Sequence, residues 1–108
     1  MSADHCLLYV TCSGPHEAET IARALIKDRL AACANIIPQI TALFEWQDNL
    51  ETATESILIL KTQTRLAETA TQAIRMRHAY ECPCILQLPI TSGNPDFLNW
   101  ITHQTTSP

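Results

Sequence analysis

The sequence predicts an α+β sandwich: a four-stranded antiparallel sheet with two main helices on one face and a short helix at the end. Three observations carry this expectation. Short apolar runs alternate with segments of helical spacing in the order β-α-β-β-α-β. The first and third strands are apolar on both faces and read as central, whereas the second and fourth contain proline and read as edges. Finally, 108 residues suits one domain around one core. The chain therefore reads as a single domain over 1–108, ordered from about 5 to 103.

The first strand is Cys6-Leu7-Leu8-Tyr9-Val10-Thr11, stopped by Ser13-Gly14-Pro15. Pro15 suits the first position of a helix, where its missing N–H costs nothing. Ala18, Ile21, Ala22, Leu25, Ile26 and Leu30 then recur at helical spacing, with Glu19, Arg23 and Lys27 on the other side. Glu19 and Arg23 are placed as an i,i+4 ion pair.

The second strand is expected from near Ala34. Ile40, Ala42, Phe44 and Trp46 alternate with Gln39, Thr41, Leu43 and Glu45, the period of a half-buried strand. Pro38 removes a ladder donor, which calls for an edge position or a bulge. Asp48-Asn49 is the expected turn. The third strand runs from Leu50 to about Gln63 and ends in the apolar Ile57-Leu58-Ile59-Leu60.

Thr64 is expected to cap the second helix, in which Leu66, Ala70, Ala73 and Arg77 share a face beside Ile74. The fourth strand is expected from Cys82 to about Leu88, bracketed by Pro83 and Pro89. Asn94 caps a last helix that opens at Pro95-Asp96 and carries Phe97, Trp100 and Ile101. Thr105 to Pro108 is expected to fray.

Strands one and three at the centre, with both main helices on one face, give the ferredoxin-like arrangement. Strands two and three, at roughly 12 residues, exceed the usual length of about 5–6, so their far ends around Phe44 to Leu50 form a projecting hairpin arm. An exposed aromatic arm needs a partner, and self-association by strand addition supplies one.

Composition removes several function classes. The net charge of −4 comes without a basic stripe, against nucleic-acid binding. No run reaches the roughly 18 apolar residues of a membrane helix, and Met1 to Cys6 lacks the regions of an export signal. The expectation is a cytoplasmic protein. Its five cysteines, at positions 6, 12, 33, 82 and 84, then read as free thiols. With 46% apolar and only 17% charged residues, the composition suits a chain that covers surface with copies of itself.

The run Leu30-Ala31-Ala32-Cys33-Ala34-Asn35-Ile36-Ile37-Pro38 resembles the signature of the CutA family, the divalent-cation tolerance proteins. Thr11-Cys12 before Pro15, Phe44-Glu45-Trp46, Leu60-Lys61-Thr62 and Asp96-Phe97-Leu98-Asn99-Trp100 agree in order and spacing. His78-Ala79-Tyr80-Glu81-Cys82-Pro83 is similar to the family's His-Pro-Tyr-x-x-Pro element. The resemblance covers about Leu7 to Ile101. It implies a cytoplasmic homotrimer similar to the PII signalling proteins, linked to copper and other divalent metals, with no defined catalytic activity.

Family metal ligands fall on Cys12, Arg77 and His78, and Arg77 has no lone pair to donate to a metal. Cys84 stands where the family commonly has Glu, Ala79 where it has Pro, and Asp48-Asn49 where it often has Gly-Lys. Trp46, Glu55, Lys61 and Tyr80 match positions that line a cleft between subunits in the family.

From the residues themselves, Cys12 is either a buried packing thiol or, ahead of a helix N-terminus, an activated one. With His78 it could hold Cu(I) or Zn if the fold brings the two together. Cys82-Pro83-Cys84 puts two thiols on one face of the expected strand, either as packing groups or as a soft-metal pair. Cys33 reads as packing, Trp46 and Trp100 as interface and core anchors, and His5, His16 and His103 as solvent-facing. Three functions follow: a metal-binding trimer of metal tolerance, a trimer that binds a small ligand or partner protein without metal, and a thiol enzyme built on Cys12 with His16 or His78 as base.

Overall fold

Seven regular elements form over residues 3–106, the span described by this computed structural model. They are β1 (His5–Cys12), α1 (Pro15–Lys27), β2 (Cys33–Trp46), β3 (Asn49–Gln63), α2 (Ala67–Arg77), β4 (Ile85–Ile90) and α3 (Pro95–Gln104). All strand pairs are antiparallel, in the order β2-β3-β1-β4, so β1 and β3 are central as their composition predicts. The fold is the expected ferredoxin-like α+β sandwich with a third helix.

Alternation along β1 sets the core. Cys6, Leu8, Val10 and Cys12 point to one face, where their partners Thr62, Leu60, Leu58 and Ser56 on β3 are equally buried. Ala18, Ile21, Ala22 and Leu25 of α1, with Ala67, Ala70 and Ile74 of α2, close over that face. Burying such side chains supplies roughly 1.5–3 kcal/mol for each larger apolar residue.

The opposite face is largely open. α3 crosses one end of it, where His5 Nε2 meets Thr102 Oγ1 at 2.8 Å and Gln63 donates to Thr105 Oγ1 at 2.8 Å. His5 is thus tied to α3 rather than to solvent, and Thr105 is buried rather than frayed. Ser107 and Pro108, the rest of that predicted fraying tail, lie outside the described residues, as do Met1 and Ser2.

Pro38 sits in the predicted bulge. Ile37 pairs with Ile57 and Ile40 with Glu55, so Pro38 and Gln39 together face Ser56. The extra residue switches strand parity. Ile40, Ala42, Phe44 and Trp46 therefore share the open face with Ile37, Ile57 and Ile59 instead of turning to the helix side. Beyond the bulge the hairpin projects, giving a long axis of 46 Å against 28 and 21 Å, with Leu43, Phe44, Trp46 and Leu50 exposed.

Several local expectations shift. The arm turn is Gln47-Asp48, at φ 51° and 66°, one residue earlier than Asp48-Asn49. Two consecutive positive φ values make the type I′ turn that matches hairpin twist. Thr64 does not cap α2: it opens a 3₁₀ turn, Thr64–Leu66, and its buried Oγ1 has no partner. α1 stops at Lys27 and leaves Leu30 beyond it, because Leu30 N–H reaches back to the Leu25 carbonyl and Arg29 N–H to that of Ile26. That is a Schellman closure with Arg29 in the left-handed position, φ 58°. Trp100 is not a core anchor but lies exposed on α3 beside Phe97, ring centroids 5.4 Å apart. Asn94 does cap α3, accepting from Asp96 N–H at 3.0 Å.

β4 begins at Ile85, not Cys82, and runs through Pro89 to Ile90. Cys82 and Cys84 consequently precede the strand and do not share one of its faces. Pro83, which lacks an N–H for the ladder, accounts for the late start.

Candidate functional site

Three chain segments meet where β1 ends. Cys12, the last residue of β1, points to the helix face and is fully buried. Glu17 lies in the first turn of α1, and His78 follows the last residue of α2. Their ligand-type atoms all lie within 4.8 Å of one another. Among the described residues this is the cluster of three donors, and neither Cys82 nor Cys84 belongs to it.

Backbone groups engage the cluster. Glu17 accepts from Ser13 N–H at 2.9 Å and from Ala79 N–H at 2.7 Å. His78 Nδ1 accepts from Tyr80 N–H at 3.1 Å, so Nε2 carries the ring proton and donates to the Thr11 carbonyl at 2.7 Å. Glu17 Oε1 is 3.9 Å from that nitrogen. Tyr80 extends the network, with its hydroxyl donating to Glu55 at 2.8 Å and its ring centred 4.8 Å from the imidazole.

Electrostatics follows from this packing. Burial pushes the Cys12 thiol up to about 12, with the nearby Glu17 and Glu55 carboxylates adding to the rise. Burial, then the hydrogen bond to Glu55, likewise raises the Tyr80 phenol to about 12. For Glu17 burial acts upward, but the Ser13 and Ala79 amides and His78 outweigh it and hold the carboxyl below its ordinary range. Cys12 is therefore a neutral thiol, not the thiolate that its place near a helix N-terminus suggests.

Of the predicted metal residues, Cys12 and His78 come together and Cys82 and Cys84 lie outside their cluster. Arg77 turns away, donating to the Ala73 carbonyl at 3.1 Å and approaching Asp28 at 4.0 Å. Cys33 starts β2, half-buried on the open face. The predicted cleft residues divide. Glu55 and Tyr80 adjoin the cluster; Trp46 ends the arm strand. Lys61, roughly 20 Å along β3 from Glu55, donates to Asn35 at 2.6 Å and lies 5.6 Å from the Phe97 ring centre. Glu17 went unpredicted, although a Glu in the third position of a helix that starts at Pro15 is where a side chain reaches back to free amides.

The donor types suit a soft cation such as Cu(I), which favours thiolate and imidazole. Their present partners set the terms. Cys12 must release its proton, and the imidazole must give up a backbone bond to free a ring nitrogen.

Fold and site together define a small antiparallel α+β sandwich carrying a closed thiol–imidazole–carboxylate cluster at one end of its sheet. Residues 6–104 match the family described as CutA1 divalent ion tolerance protein, and the chain belongs to that family. The mouse protein CutA is 43% identical over 98 residues, covering 91% of this chain, which spans 55% of the mouse protein. A divalent ion tolerance protein CutA1 from Ehrlichia chaffeensis superposes with a TM-score of 0.93 at 34% identity, over 99% of this chain and all of that one. CutA from Archaeoglobus fulgidus, described as a periplasmic divalent cation tolerance protein, gives 0.92 at 36% identity over 94% and 99% of the two chains.

Proposed function

We propose that this chain acts in divalent-cation tolerance as a cytoplasmic, non-catalytic homotrimer that binds copper, as Cu(I), through Cys12 and His78, with Glu17 beside them. The observation that carries the reading is the placement of thiol, imidazole and carboxylate donors within 4.8 Å of one another. Cu(I) binding displaces the Cys12 proton, so one positive charge replaces another, and the Glu17 carboxylate beside them favours the cation. A thiol held up to about 12 is a poor nucleophile at neutral pH, which supports a binding rather than a catalytic role. Free thiols suit a reducing compartment, and no helix among the described residues is long and apolar enough to cross a membrane. The apolar open face and exposed arm support assembly. Anaerobic titration of the reduced protein with Cu(I) against a competing chelator tests the site. Cys12→Ser and His78→Ala should each remove tight binding there, and unchanged affinity in both would end the reading.

A second reading has its own observation. Glu17 and His78 already satisfy backbone groups, as they would in a structural latch of a trimer that binds a small ligand or partner protein without metal. Under that reading, Cys12→Ser leaves Cu(I) affinity and partner capture untouched.

A further inference from the structure

Cys82 and Cys84 differ from the Cys12 cluster in what governs metal capture. Cys82 is exposed and Cys84 half-buried, and both are free thiols, whereas Cys12 is sealed in the core. The segment that carries them is anchored at one side. Thr11 N–H donates to the Cys84 carbonyl at 3.3 Å, next to the Val10–Ile85 pair that starts the β1–β4 ladder. Pro83 between the thiols fixes one backbone torsion, so the pair loses less freedom on closing around an ion than a flexible loop would. The donor count selects the ion. Neither sulfur joins a three-donor cluster among the described residues, so the four ligands of a structural zinc site are not at hand. Two thiolates alone suit Cu(I), which is soft and accepts two-coordination.

We propose that Cys82 and Cys84 form a second, surface site that holds one Cu(I) between two thiolates, separate from Cys12 and His78. No electron is transferred. Both S–H groups give their protons to solvent, two S–Cu bonds form, and the site passes from neutral to a single negative charge. The pair can load without opening the core.

Anaerobic titration with Cu(I) against a chromogenic chelator, run on wild type and the cysteine variants, tests this. Reduced wild type should take up about two equivalents per chain, one at each site. Cys82→Ser/Cys84→Ser should lose one equivalent, and each single substitution should weaken that equivalent at least about tenfold. Cys12→Ser should keep the surface equivalent. A double variant that matches wild type in stoichiometry and affinity overturns the proposal. If binding instead vanishes in Cys12→Ser and persists in the double variant, the surface site is wrong and the Cys12 reading stands. Loss only in the double variant supports the surface site and removes the Cys12 reading. The substituted side chains lie outside the core, so circular dichroism should be unchanged in that variant.

Discussion

Ser56 donates its hydroxyl to the Pro38 carbonyl at 2.6 Å, tying β3 to the β2 bulge. Ser56 is fully buried and faces the two-residue step at which strand parity switches. The bond thus helps decide which face carries Ile40, Ala42 and Phe44. Ser56→Ala should cost about 1 kcal/mol in urea unfolding and speed amide hydrogen exchange in the arm more than in the core of β1. Unaltered arm exchange would mean that the bulge holds without this bond.

Much of the fold was legible because burial leaves a plain mark. β1 and the end of β3 are apolar on both faces and proved central, and Pro38 announced the bulge. The turn was misplaced by one residue because no glycine marks the left-handed positions, so pairing register, which is non-local, decides between Gln47 and Asn49. Cys12 and His78 were legible through family resemblance, but the raised thiol and the imidazole's tautomer were not. Those depend on Thr11, Tyr80 and Glu55, which arrive from three different segments. Glu17 drew no reading from the sequence, because only the folded contacts with Ser13 and Ala79 leave its side chain 13% exposed.

Glu17 bridges Ser13 and Ala79, joining the start of α1 to the segment after α2. Glu17→Ala should cost about 2–3 kcal/mol, since two charge-assisted bonds are lost, and Glu17→Gln less. The carboxyl is held below its ordinary range, so its stabilisation is full above the unfolded value of about 4.3 and fades as pH falls through the folded value. Thermal melts from pH 7 down to pH 3 should fall more steeply for wild type than for Glu17→Gln. Parallel curves would remove Glu17 from the acid response.

Arg29 holds φ 58° at the close of α1, a conformation that costs a non-glycine residue roughly 1 kcal/mol. Its side chain is exposed and makes one 3.2 Å bond to the Gln104 carbonyl. Arg29→Gly should therefore raise stability by about 0.5 kcal/mol, after that lost bond and the greater freedom of the unfolded chain are counted. Arg29→Ala keeps the strain and should not. Equal effects of the two substitutions would refute a backbone origin.

Cu(I) binding at Cys12 must displace a proton from a thiol held up to about 12. In a Cys82→Ser/Cys84→Ser background, affinity should rise about tenfold per pH unit between about pH 7 and 9, the slope of one released proton. A flat profile would show that the ion binds elsewhere or without the thiolate.

Leu86 is 55% exposed, opposite Tyr9 on the open face, and the parity switch at Pro38 extends that apolar face through Ile40 toward Phe44. A homotrimer that covers this face would bury Leu86 among apolar neighbours. Leu86→Lys would then place an unpaired charge inside an interface, a penalty of about 3–5 kcal/mol, enough to shift micromolar protein toward monomer. Thr20→Lys, an equal charge change on the exposed surface of α1, leaves the open face intact and serves as the control. Light scattering should give a trimer mass for wild type and Thr20→Lys and a smaller species for Leu86→Lys. A monomeric wild type would refute the trimer outright, whereas a trimeric Leu86→Lys would move the interface off this face and onto the arm.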